Sequence, residues 1–259
     1  MAGLVMMCSF EGIKRKCASE RLGQSTSLDT SVRKKITFTF FVIMHKKGEV
    51  ELTILIAMAA RPSNGEKPYV LFGSDSLEVK YRLKEDGTKE AVDRNESQQK
   101  IFRKHDKLFA FTGLFDLSVV LDLPDYLENR ITKETDIKAA AEIVLGFIKG
   151  QKLLIYNISV IIGQIDSNEK PSLVGFDMDG EGQVGEPIEP VVLEGISEYW
   201  VIVAGEEPPV NLNEKLKSEI DRSNLSISSL EKSVEQFLRQ VASEYPETCN
   251  QNIRIEKLM

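Results

Sequence analysis

The order of the apolar segments does most to narrow the folds open to this chain: strand-like runs, two helical stretches, strands again, two more helices and a last strand. The opening strands are Leu52 to Met58 (LTILIAM) and Tyr69 to Phe72 (YVLF), joined by the turn-rich Arg61 to Pro68, which predicts a hairpin with a long loop. Leu77 to Leu83 alternates apolar and polar residues, and the charged Lys84 to Gln99 is expected to be a loop or an extended excursion. Ile101 to Phe102 and Leu108 to Phe111 form a second pair around a turn at His105 and Asp106. Helices are expected from about Phe115 to Arg130, kinked by Pro124, and from Lys133 to Lys149, where Ile137, Ala141, Val144 and Ile148 share one face and Gly150 closes the segment. Strands return at Ile158 to Ile165, Ser172 to Phe176, Val191 to Leu193 and Trp200 to Val203. The second helix pair spans Asn213 to Asp221 and Leu230 to Ser243, the latter opened by Ser228 with Glu231 three residues on, a capping box. Ile253 to Leu258 is the final strand. A helix pair on each outer face of stacked sheets would bury every apolar face in this series, which makes the class α+β.

At 259 residues the chain suits one large domain, and 42% hydrophobic with 28% charged residues supplies a core and excludes global disorder. Acidic side chains outnumber basic ones by 40 to 33, a net charge of -7 that opposes the attraction to phosphate behind most nucleic-acid binding, so no nucleic-acid partner is expected. Cys8, Cys17 and Cys249 are odd in number, far apart and without a CxxC pair, which suits a reducing, cytoplasmic compartment. The longest apolar run, Ile36 to Met44, has nine residues against the ~20 that cross a bilayer, so no membrane association is expected. Basic residues precede that run as in a secretory signal, but His45, Lys46 and Lys47 follow it in place of a small-residue cleavage site. Residues 1 to 50 are therefore expected to be an extension: an extra strand, a removable pro-segment, or residues upstream of a true start at Met44.

The usual motifs of catalysis are missing or broken. Asp177 to Gly182 (DMDGEG) begins like a calcium loop, but its twelfth position is Ile188 where a bidentate Glu is required, so a hairpin turn is expected there. His45 and His105 lie in polar segments without a partner at metal-ligand spacing and are expected on the surface; no metal and no cofactor are expected. Serine-hydrolase, P-loop and zinc-protease signatures are all absent from the sequence.

What remains is a set of short polar signals at strand ends: Thr53, Gly73-Ser74-Asp75-Ser76, Lys100-Ile101, Thr112-Gly113 and Ala204-Gly205. Each alone is ordinary turn and strand chemistry. In order, from residue 52 to residue 258, they resemble the proteasome β-subunit family of the N-terminal-nucleophile hydrolases. Leu52 to Met58 is similar to the family's first strand, which begins at the nucleophilic Thr, and Val70 to Ser76 (VLFGSDS) to its second, which ends in an Asp. Gln99 to Gly113 resembles the segment from the catalytic Lys to the oxyanion-hole Gly, and Ser159 to Asp179 the paired strands with an IGGxD-like hairpin. The resemblance implies a four-layer αββα sandwich over residues 51 to 259.

It also implies roles. Thr53 would be the nucleophile, with its own freed α-amine as base, since an amine pKa of ~7.7–8.0 sits near operating pH. Lys100 would lower the pKa of that amine and hydroxyl, and Asp75 would hold the lysine. The Gly113 N–H would face the oxyanion, a donor worth roughly 2.7–4 kcal/mol. Phe111, two residues before that glycine, and Phe115, two after it, would wall an apolar pocket for the substrate side chain, the alternative being ordinary core. As a residue that tunes pKa, Lys100 should be removable with little change in melting temperature.

The departures are as specific. Gly205 is followed by Glu206, Glu207, Pro208 and Pro209 where the family has a GSGS-like turn. Tyr245 to Asn250 (YPETCN) keeps only Glu247 and Thr248 of the family's Asp and Ser beside the site, and Leu52 precedes Thr53 in place of Gly. A slip of two would put Glu51 first and leave the protein inactive. Two functions follow: a threonine-nucleophile hydrolase of peptides or amides, or a catalytically silent proteasome-like subunit with an assembly role. Both imply a homo-oligomeric ring.

Overall fold

The computed structural model describes residues 36–42, 54–83, 89–115, 117–151, 155–179, 189–205 and 210–259. Its first five-stranded sheet has the order β1 (Ile36–Val42), β11 (Glu198–Gly205), β2 (Ile54–Arg61), β3 (Tyr69–Ser74) and β12 (Arg254–Leu258). The second has the order β10 (Val191–Val192), β9 (Pro171–Asp179), β8 (Ile155–Ile165), β7 (Lys107–Phe115) and β6 (Ile101–Lys104). All pairings are antiparallel except that of β1, which runs parallel to β11 at the edge. The helices are α1 (Leu117–Glu128), α2 (Ile137–Gly150), α3 (Val210–Arg222) and α4 (Ile227–Glu244).

Strand periodicity sorts the apolar side chains into three cores. Along β2, Ile54, Ile56, Met58 and Ala60 pack with Leu216 and Ile220 of α3 and Leu230, Val234 and Leu238 of α4. The intervening Leu55, Ala57 and Ala59 pack with Leu108 and Ala110 of β7 and Ile161 of β8, between the sheets. Phe109, Phe111, Ile158, Val160 and Ile162 turn the other way, onto Leu123 of α1 and Val144 and Ile148 of α2. A strand buried on both faces needs apolar residues at every position, which explains the unbroken run of β2. The sheets approach closely where Gly163 lies: a Cβ there would stand 2.6 Å from Val70 Cγ1 and 2.8 Å from Phe72 Cε1.

The expected hairpin of β2 and β3 and the turn at His105 are present, with His105 exposed and in the left-handed region at φ 54°. One expectation is narrowed and two change. Within the charged stretch from Lys84 to Gln99, Lys89–Asn95 forms a strand, β5, paired antiparallel with β4 (Glu78–Leu83). Phe115 is the last residue of β7 and not the start of a helix. The α4 cap is not the predicted box: Ser226 is the N-cap and its side chain caps nothing. Instead Glu66, in the β2–β3 loop, accepts from the Ile227 N–H at 2.8 Å and from the Ser226 hydroxyl at 2.9 Å. Glu231 pairs with Lys257 at 2.5 Å. Helix α1 runs through Pro124, and Asp136 caps α2 by accepting from the Ala139 N–H at 2.7 Å.

Asp177 and Asp179 end β9, while Gly180 to Ile188 lie outside the described residues, as do His45, Cys8 and Cys17. Among the described residues no helix is long and apolar enough to cross a membrane, and no group of three His, Cys, Asp or Glu is placed to hold a metal ion.

Candidate active site

Strand β3 ends at Ser74, and the next residue, Asp75, is fully buried. A carboxylate in that position must be hydrogen-bonded. It accepts from the Lys100 ammonium at 3.0 Å and from the Ile54 N–H at 3.4 Å on one oxygen, and from the Leu77 N–H at 2.9 Å and the Asn250 N–H at 3.4 Å on the other. Three separate chain segments thus donate to one side chain, and the fold reaches it from the start of β2, the approach to β6 and the loop before β12. Lys100 is itself 8% exposed. Burial holds its ammonium below the ordinary lysine range, and the Asp75 carboxylate works against that fall.

Lys100 is tied to β7 through its carbonyl, which accepts from the Phe111 N–H at 3.3 Å. Gly113 lies two residues further along the same strand, about 7 Å at the usual rise. It has φ +135°, and a Cβ at that position would sit 2.5 Å from the Asn157 carbonyl oxygen, so only glycine fits. The structure therefore brings Asp75 and Lys100 into direct contact and carries Gly113 two residues past the β7 residue that holds Lys100. Thr53 and Glu51 lie outside the described residues. Ile54, the residue after Thr53, stands opposite Gly205, which has φ +104°.

The Phe111 ring is 3% exposed, packs in the core under α1 and α2, and meets Phe102 with ring centroids 6.1 Å apart. It belongs to the core and also borders Lys100 through its backbone. Glu206 to Pro209 lie outside the described residues, and Glu247 is exposed, engaged through its carbonyl with Arg94 at 3.3 Å and not with the pair. Thr248 is buried, with its hydroxyl on the Tyr245 carbonyl at 3.5 Å. The residue that the sequence reasoning missed is Asn250, two positions on; its signal was the polar run TCNQN just before the last strand.

A second carboxyl, half-buried, stands on the inner face of the other sheet. Asp177 shares a face of β9 with Leu173 and lies opposite Ser159 of β8. Neither the Ser159 hydroxyl nor Asp177 Oδ1 has a partner within hydrogen-bond distance among the described residues. Burial pushes the Asp177 carboxyl up to about 6, and the Ser159 hydroxyl near it offsets part of that rise.

No family model matches the chain, and no curated protein matches it in sequence. Among solved structures it is similar to the eukaryotic HslV of Trypanosoma brucei, at 16% identity over 78% of this chain and 98% of that one, with a TM-score of 0.41. It is similar to the Gly-1 mutant of Anbu from Hyphomicrobium sp. strain MC1, at 17% identity over 78% and 79% of the two chains, with a TM-score of 0.47. The BPH protein of Thiobacillus denitrificans in complex with epoxomicin is similar at 13% identity over 78% and 97%, with a TM-score of 0.42.

Proposed function

We propose that this chain is a threonine-nucleophile hydrolase of peptide or amide bonds of the proteasome-like type, built as a four-layer αββα sandwich. The observation that carries the reading is the double engagement of Asp75: one oxygen accepts from Lys100 and from the Ile54 N–H. That nitrogen is covalently bonded to the carbonyl of Thr53, so the residue in the nucleophile's position is one peptide unit from the pair. The same bond supports Thr53 over Glu51 as the first residue of a mature chain.

In this reading the Thr53 α-amine, freed by cleavage after Leu52, takes the hydroxyl proton as Oγ attacks the substrate carbonyl. Lys100, held by Asp75, places positive charge beside amine and hydroxyl and lowers the pKa of both. The Gly113 N–H receives the developing oxyanion. The amine then passes its proton to the leaving nitrogen, and water hydrolyses the resulting ester by the reverse sequence. Phe111 enters this reading through its backbone, which holds Lys100, and not as a pocket wall, since its ring packs in the core under α1 and α2.

The test is intact mass after purification and incubation, followed by exposure to a peptide epoxyketone or vinyl sulfone. A chain beginning at Thr53 that is labelled there, with labelling lost in Thr53→Ala and no reaction with a fluorophosphonate, is the expected result. A full-length or Met44-initiated chain that is never labelled would overturn the hydrolase reading in favour of the silent, assembling subunit.

A further inference from the structure

Asp75 and Lys100 flank the β4–β5 hairpin, whose ladder begins at Glu78 and Asn95, and the stretches from that ladder to the pair, 75–77 and 96–100, belong to no strand. Both are gripped by the loop before β12. The Asn250 side-chain oxygen accepts from the Ser76 N–H at 3.1 Å, next to Asp75, while its own backbone N–H reaches the Asp75 carboxylate at 3.4 Å. The Asn250 side-chain nitrogen donates to the Glu96 carbonyl at 3.1 Å, on the approach to Lys100. Asn252 backs it up: its N–H donates to the Asn250 side-chain oxygen at 3.2 Å, its own side chain reaches the Glu96 carbonyl at 2.9 Å, and its carbonyl accepts from the Ser76 hydroxyl. The Gln98 N–H closes the ring on the Ser76 carbonyl at 3.0 Å.

We infer that Asn250 is a positioning residue for the proposed hydrolase site, a clasp that fixes the segment bearing Lys100 against the segment bearing Asp75. The inference rests on the hydrolase reading only for its catalytic consequence. The chemistry asks for a primary amide: the oxygen must accept from two N–H groups on one side while the nitrogen donates to a carbonyl on the other. Ala does neither, a carboxylate cannot donate, and the single hydroxyl of Ser reaches one side only. With the clasp open, the two segments separate, water enters between them, and Lys100 loses the enclosure that depresses its ammonium.

The experiment is a lysine side-chain NMR titration of the full chain, with the Lys100 signal assigned by its loss in Lys100→Arg. In Asn250→Ala the Lys100 titration should move upward by about half a unit or more, because burial is the larger influence on it. Asn252→Ala should move it less, since Asn250 still holds Glu96. A Lys100 titration in Asn250→Ala that superimposes on the parent, moves downward, or moves no further than in Asn252→Ala overturns the inference, whatever happens to the melting temperature. If Asn250→Ala does not fold, Asn250→Ser decides by the same criterion. Where the parent hydrolyses peptides, kcat should fall by about tenfold to a hundredfold in Asn250→Ala with KM nearly unchanged. The titration needs no turnover, so an inactive parent would defeat the hydrolase reading while the clasp still stands or falls on the titration.

Discussion

A buried Lys–Asp pair is a different object from a lysine that merely tunes a neighbour, and the difference shows on truncation. Lys100→Ala leaves Asp75 buried, still bonded to three backbone N–H groups but without its counter-charge. We expect a loss of about 3 kcal/mol in urea denaturation, together with loss of any hydrolysis. The double change Lys100→Met with Asp75→Asn should recover much of that stability and none of the activity. A Lys100→Ala chain as stable as the parent, the outcome that the sequence alone suggested, would mean that water takes the place of the counter-charge. Asp75 and Lys100 were legible as a pair because both follow the order of strand-end signals; Asn250 was not, since its partners lie 154 and 174 positions away. Asp177 carries a pH signature of opposite character. Its folded-state pKa of about 6 lies above the ordinary 3.8, so the folded chain binds the extra proton and its stability falls as pH rises from about 4 to 6. Asp177→Asn should remove that fall and be more stable than the parent by about 2–3 kcal/mol at pH 7, measured by denaturation across the pH range. Parallel pH profiles for the two proteins would refute the assignment.

Elements were readable where burial is two-sided and obscure where it is not. The runs of β2 and β3 announce themselves because both faces meet a core. Strand β5 (KEAVDRN) has little apolar material and is held by main-chain pairing to β4, so composition left a loop and an extended excursion both open. The start of α4 misled for another reason: the sequence offers a local box, but the orphan Ile227 N–H is satisfied from Glu66, 161 positions away. The Ile227 N–H holds the Glu66 carboxyl below the usual range, as an anion at a helix N-terminus should be. Glu66→Ala is therefore expected to cost about 1 kcal/mol, while Ser228→Ala, in the predicted cap position, costs nearly nothing. Equal losses, read by thermal denaturation of the two variants, would restore the local box.

At the scale of the whole molecule, the helix pairs lie on the outward faces of the two sheets, and the proposed function predicts that the chain, net charge -7, scatters light as an oligomer at high concentration. A monomer there would count against both proteasome-like readings. The placement of β1 adds a temporal consequence. Val42 and Ile54 flank the same residue, Gly205, on opposite sides, so these two residues lie about 10 Å apart across the tip of β11. Severing the chain after Leu52 breaks one covalent bond and leaves the seven-residue register of β1 on β11 untouched. Scission and departure are thus separate events: a nicked protein should migrate as one species in native mass spectrometry and as two under denaturing conditions, the severed piece lingering as a non-covalently held edge strand until it is peeled away. Its immediate loss on cutting, with no two-chain species at any time, would show that the covalent tether alone held it there.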